Sequence, residues 1–163
     1  MESLRNKTFS KLHIQVVFAV QYRNALISDS WKERLYNYMA AIIQNNKHKL
    51  LAIGGTDDHV HILIGFRPSQ SISDLMKDVK GCSSKWINDN RLTEGWFSWQ
   101  EGYGAFSYSQ EDVPAVIRYI LNQPEHHKKQ NMVNEYKMMD RVLAPLTTSP
   151  RVRFCTSARP ADR

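Results

Sequence analysis

His59 and His61 stand two residues apart in DHVHILIGF, residues 58–66, a β-branched, apolar run that reads as a strand. Side chains alternate along a strand, so both imidazoles share one face while Val60, Ile62 and Ile64 share the other. Two parallel imidazoles on an open face can hold a divalent ion if a third ligand comes from elsewhere. Asp57 and Asp58 precede the pair and are placed either to orient an imidazole or to close a turn. Further along, Tyr119 lies off the centre of the apolar stripe Val113, Val116, Ile117, Ile120 and Leu121, and Gln123 follows one turn later on the same side. A phenol is a weak nucleophile at neutral pH because its pKa is near 10. A divalent ion on a phosphodiester can stabilise the charge that develops when tyrosine attacks phosphorus. Gln123 offers an amide oxygen as a third, hard ligand. Each feature alone also fits a plainer role: two polar residues on a solvated strand face, and a rim tyrosine with a polar neighbour.

Of the seven tyrosines, Tyr119 is the one that pairs with a glutamine at i+4 on a helix bounded by breakers, Gly102 and Gly104 before it and Pro124 after. Tyr36 and Tyr38 belong to an earlier helix, Tyr22 closes a strand, Tyr103 and Tyr108 lie in or beside strands, and Tyr136 has no such partner.

The elements that must position these groups read as β-α-β-β-α-β-β-α-α. Residues 12–22 form an apolar first strand. A helix follows from a Ser30/Glu33 capping box and ends near residues 47–49. A strand over 50–53 is broken by Gly54 and Gly55, and residues 54–57 turn the chain into the histidine strand. A second helix is capped by Ser71 or Ser73 and carries the stripe Ile72, Leu75, Val79, Trp86 and Ile87. Strands are expected over 95–100 and 103–108. Ser109 and Asp112 form another capping box, with Pro114 in the first turn of the tyrosine helix. A last helix spans roughly 131–143. This order implies an α+β, ferredoxin-like (split βαβ) antiparallel sheet with helices on one face.

Bulk properties agree with one domain. The chain has 163 residues, 42% hydrophobic and 10% aromatic, enough for a core and against disorder. No apolar run approaches the roughly 20 residues of a membrane span, and the first residues lack a signal-peptide stretch, so a cytoplasmic protein with no membrane partner is expected. Cys82 and Cys155 form no metal-binding pattern and read as a small core residue and a tail residue. Net charge is +6, but four arginines against Asp162 place half of it in residues 151–163. The body is only mildly basic, which favours a polyanionic partner without establishing one.

Taken together, these residues resemble the single-tyrosine HUH transposases of the insertion-sequence 200/605 group, REP-associated tyrosine transposase relatives included. His59-Val60-His61 resembles the HUH motif, and residues 119–123, YILNQ, followed by Pro-Glu-His126-His127-Lys, resemble the nucleophile helix. Residues 100–107, 79–88 and the opening strand are similar as well, so the likeness covers roughly residues 8–139. It implies residues 1–143 as a single-strand DNA transposase domain and 144–163 as a basic tail, expected to be flexible. It implies Tyr119 as the nucleophile that forms a 5′-phosphotyrosine, and His59, His61 and Gln123 as ligands of Mg²⁺ or Mn²⁺. It further implies hairpin-bearing single-stranded DNA as substrate, and a homodimer with composite sites, the histidines from one chain and the tyrosine helix from the other. Lys80, Lys85, Arg91, His126 and His127 are candidate DNA contacts, with Tyr103 and Phe106 as stacking platforms. The same sequence also admits a domesticated relative processing chromosomal repeat hairpins, a non-catalytic single-strand nucleic-acid-binding module, or a phosphodiesterase that uses water.

Overall fold

A computed structural model of the chain describes residues 9–23 and 26–123. Four strands, β1 (Leu12–Ala19), β2 (Lys49–Gly55), β3 (His59–Phe66) and β4 (Gly104–Tyr108), form one antiparallel sheet in the order β2-β3-β1-β4. Helices α1 (Asp29–Asn45), α2 (Ile72–Asp89) and α3 (Val113–Leu121) complete it. The fold is α+β with ferredoxin-like strand order, as expected. The expected helix over 131–143, the 143/144 boundary, His126 and His127 lie outside the described residues.

β1 is apolar from Val16 to Ala19 because it is a central strand, flanked by β3 and β4, and its second half is buried on both faces. Val16 and Phe18 pack into the main core with Val60, Ile62, Leu35, Met39, Leu75 and Val79 beneath α1 and α2. Each such fully buried side chain contributes roughly 1.5–3 kcal/mol of transfer free energy. Stacking of Tyr38 on Trp86, with centroids 5.3 Å apart, ties α1 to α2.

The layering departs from the expectation that all helices share one face. α3 lies on the opposite side, where Val113, Val116 and Ile120 pack on Ala52 and Leu63. Leu63 alternates with Ile62 and Ile64, so it points away from the main core and needs a cover of its own. Leu121, counted in the α3 stripe by its spacing, is 59% exposed.

Four further local expectations are corrected. Residues 95–100 form no ladder; only Trp99 bridges to Val20. The Asn88 side chain satisfies that backbone instead, donating to the Phe97 carbonyl (2.9 Å) and accepting from its N–H (2.8 Å). Phe97 and Trp99 are thereby drawn into the core as an edge-to-face pair. α1 begins two residues early, capped by Ser28, whose hydroxyl accepts from the Ser30 N–H. Gly54 and Gly55 belong to β2, opposite His61 and Val60, and do not break it. Cys82 is exposed on α2.

Candidate active site

The alternation of β3 delivers His59 and His61 to one face, with ring centroids 5.0 Å apart and inclined at 69°. That face was expected to be open. Both rings are instead almost wholly buried, because α3 crosses it. The approach is close since β2 presents Ala52 and Gly54 there. A Cβ on Gly54, directly opposite His61, would overlap the Ile120 carbonyl oxygen and lie 3.1 Å from Ile120 Cγ2. The same docking sets the Tyr119 ring edge-on to His61, with centroids 5.9 Å apart. Gln123, one turn on from Tyr119, is fully buried. The resemblance implied that histidines and tyrosine come from different chains; here one chain brings them together.

Each imidazole is held through Nδ1. His59 Nδ1 lies 2.5 Å from an Asp58 carboxylate oxygen and 2.9 Å from the Thr56 hydroxyl, which itself donates to that carboxylate at 2.8 Å. Asp58, not Asp57, is therefore the orienting carboxylate. The Asp57 carbonyl instead accepts the N–H groups of Leu26 and Ile27. His61 Nδ1 lies 2.9 Å from the Gln15 amide nitrogen. Gln15 is completely buried, and its amide oxygen accepts from the Tyr108 hydroxyl at 2.8 Å.

The residues fit a divalent ion. With both Nδ1 atoms turned to protein partners, Nε2 is the nitrogen each ring would present to a metal. Among the described residues no cluster of three His, Cys, Asp or Glu occurs. Gln123, buried and four residues beyond Tyr119, offers a carboxamide oxygen as a donor of another kind. Two imidazoles and one oxygen form a mixed set that suits Mn²⁺ better than Mg²⁺.

Among the described residues, the candidate basic DNA contacts lie away from this cluster, and the two aromatic ones are partly buried. Lys80 bridges α2 to the loop before β4, donating at 2.7 Å to the carbonyls of Gln100 and Gly102. Burial holds its ammonium below the ordinary lysine range, against the opposing pull of Glu101. Lys85 pairs with Asp89 at 2.5 Å on the exposed side of α2. Tyr103 packs against the core and its hydroxyl meets Ser73 at 3.0 Å. Phe106, half-buried on β4, is opposite Gln15 on the histidine face. Arg91 is exposed and adopts a left-handed backbone, φ 51°. It lines a 420 Å³ cavity with Asn88, Thr93, Glu94, Gly95 and Trp96.

Two residues escaped the sequence reading. Gln15 carried a signal, as a lone amide inside an otherwise apolar strand core; Trp96, 84% exposed, carried none until the fold left it outside the core.

The structure thus presents a four-stranded antiparallel sheet with paired histidines on one face, closed by a tyrosine-bearing helix. Residues 8–123 match the family described as transposase IS200 like, and the chain belongs to that family. It is similar to the ISDra2 transposase TnpA of Deinococcus radiodurans, 25% identical over 118 residues that cover 69% of this chain and 84% of that protein. Among solved structures it resembles a crystal structure from Deinococcus radiodurans R1 assigned as a transposase: TM-score 0.58, 26% identity, 76% of this chain and 98% of that one. The fold also matches a REP-associated tyrosine transposase bound to a REP hairpin: TM-score 0.57, 12% identity, 99% and 100% of the two chains.

Proposed function

We propose that this transposase cleaves and rejoins single-stranded DNA at hairpin-marked ends through a covalent phosphotyrosine. The observation that carries the reading is the Tyr119 ring standing 5.9 Å from that of His61, on a helix followed, just past its C-cap Asn122, by the buried Gln123. The Tyr119 oxygen attacks phosphorus, the bond to the 3′ oxygen breaks, and the 3′ hydroxyl takes up a proton while the 5′ phosphate stays on the tyrosine. A DNA hydroxyl reverses the step on a new strand, so no external energy source is needed. His59, His61 and Gln123 would hold Mg²⁺ or Mn²⁺, which when bound supplies Lewis-acid stabilisation of the phosphate charge. Burial beneath α3 excludes water, which protects the covalent intermediate from hydrolysis and strengthens every charge interaction in the site.

Hairpin recognition is assigned to Arg91, Lys85, Tyr103 and Phe106, with phosphate contacts supplying affinity and aromatic faces taking unpaired bases. Lys80 would join them only by giving up two backbone carbonyls. Pairing of two copies would use the outer strands β2 and β4, because β1 and β3 are paired on both sides. Each copy would then carry its own complete site, and pairing would bring two DNA ends together. Activity in the cytoplasm is proposed with the substrate; among the described residues no helix is long and apolar enough to cross a membrane.

The test is a denaturing gel with labelled, hairpin-bearing oligonucleotide and Mn²⁺. The wild-type chain gives a protein–DNA adduct. Tyr119→Phe binds the same DNA with affinity within roughly twofold, since one hydroxyl adds little to many phosphate contacts, yet gives no adduct. An adduct that persists in Tyr119→Phe, or maps to another tyrosine, removes the assignment.

A further inference from the structure

A metal takes an imidazole through a lone pair, so the opposite ring nitrogen must carry the proton. For His59 the protein enforces this, because Nδ1 faces the Asp58 carboxylate, which accepts only. His61 is different. Its Nδ1 faces the amide of Gln15, a group that can accept or donate.

We infer that Gln15 is a positioning residue that sets which nitrogen of His61 carries the proton, and thereby whether His61 can hold a divalent ion. This rests on the metal reading of His59 and His61 above. Gln15 lies on β1 two residues along, on the same face, from Val17, the residue directly opposite His61, so its side chain reaches diagonally across the ladder. On its other side Tyr108 of β4 closes the chain Tyr108–Gln15–His61 with contacts of 2.8 and 2.9 Å. A fully buried amide in an apolar strand costs stability unless both ends are bonded, and both are.

Two proton arrangements satisfy these distances. With the amide nitrogen toward His61, Gln15 donates to Nδ1, the His61 proton sits on Nε2, and Tyr108 donates to the amide oxygen. That tautomer cannot ligate through Nε2. A half-turn of the amide exchanges oxygen and nitrogen in place. The oxygen then accepts from Nδ1–H, the nitrogen donates to the Tyr108 oxygen, and Nε2 bears the lone pair a metal needs. Both arrangements keep two hydrogen bonds, since a phenol hydroxyl serves as donor or acceptor. Gln15 therefore lets His61 change tautomer without leaving a buried group unpaired, which an apolar residue in its place would not.

The test uses the full chain. Long-range ¹H–¹⁵N correlation of the histidine rings reads the His61 tautomer directly, and calorimetry with Mn²⁺ alone reads affinity. The wild-type ring converts from Nε2–H to Nδ1–H on saturation with Zn²⁺, a diamagnetic stand-in. Gln15→Met, of similar length but unable to hydrogen-bond, weakens Mn²⁺ binding on the order of 10–100-fold. Gln15→Glu, which only accepts from Nδ1–H, restores it to within roughly threefold. Unchanged Mn²⁺ affinity in Gln15→Met overturns the inference, as does a Gln15→Glu variant no better than Gln15→Met, which would reduce the residue to packing. If Gln15→Met does not fold, the wild-type spectrum decides: a His61 ring that stays Nε2–H at saturating Zn²⁺ overturns the inference. Mn²⁺ binding equal in wild type and in the His59→Ala/His61→Ala double variant overturns the metal reading as well, so the two failures are distinguishable.

Discussion

Replacing Gly54 by alanine tests the claim that α3 must sit this close to the sheet for Tyr119 to act. The new Cβ would lie 3.2 Å from the Ile120 carbonyl carbon and inside contact distance of its oxygen, whereas ordinary contact begins at 3.4 Å. Neither partner has a torsion that relieves the overlap. Gly54 is locked opposite His61 in the β2–β3 ladder, and the nearest obstructing atom, the Ile120 carbonyl oxygen, is helix backbone. The helix must therefore retreat, by about 1 Å, and Tyr119 is the residue next to Ile120. A misplacement of about 1 Å at a reacting group costs on the order of 100-fold in rate, equivalent to about 2.7 kcal/mol of barrier. The stability cost of overpacking is about 1–3 kcal/mol, so the assay is run well below the unfolding midpoint. Single-turnover adduct formation on a labelled hairpin oligonucleotide should fall about 100-fold, with DNA affinity changed less than roughly threefold, because no proposed DNA contact lies on β2. The control is Gly81→Ala on α2, whose Cβ meets nothing within 4 Å. It should cleave at the wild-type rate and gain roughly 0.5–1 kcal/mol in stability. A Gly54→Ala chain that forms adduct at the wild-type rate would refute the argument that α3's close approach positions the nucleophile.

Three further outcomes are expected. The His59→Ala/His61→Ala double variant should lose calorimetric Mn²⁺ binding while Tyr119→Phe keeps it; equal binding in double variant and wild type would place the ion elsewhere. Mixing a Tyr119→Phe chain with a His61→Ala chain should not restore adduct formation, because both groups stand in one chain; restored activity would mean that α3 is exchanged between copies. Trp96→Ala should weaken hairpin binding by about 1–3 kcal/mol if its exposed ring takes a base beside Arg91, measured by anisotropy at fixed salt; unchanged affinity would make Trp96 a bystander.

Periodicity alone was enough to set His59 and His61 side by side, because the two-residue repeat of a strand is a local property of the backbone. The apolar stripes of α2 and α3, the Ser71 cap and Pro114 in a first turn were legible for the same reason. The class of protein followed because the paired histidines and the tyrosine helix survive as motifs with their spacing intact. Tertiary structure alone decided what lies over those motifs. That α3 crosses the histidine face depends on Ala52, Gly54 and Leu63 leaving room and apolar surface there, a property of two strands seen together. The missing strand over residues 95–100 was decided by Asn88, whose amide bonds the Phe97 backbone across nine positions. Gln15 meets His61 across 46 residues of sequence, and no local pattern encodes a hydrogen bond that exists only once β1 has paired with β3. Local sequence determines which way a side chain points, whereas its partners are chosen by chain segments that reach the same place only on folding.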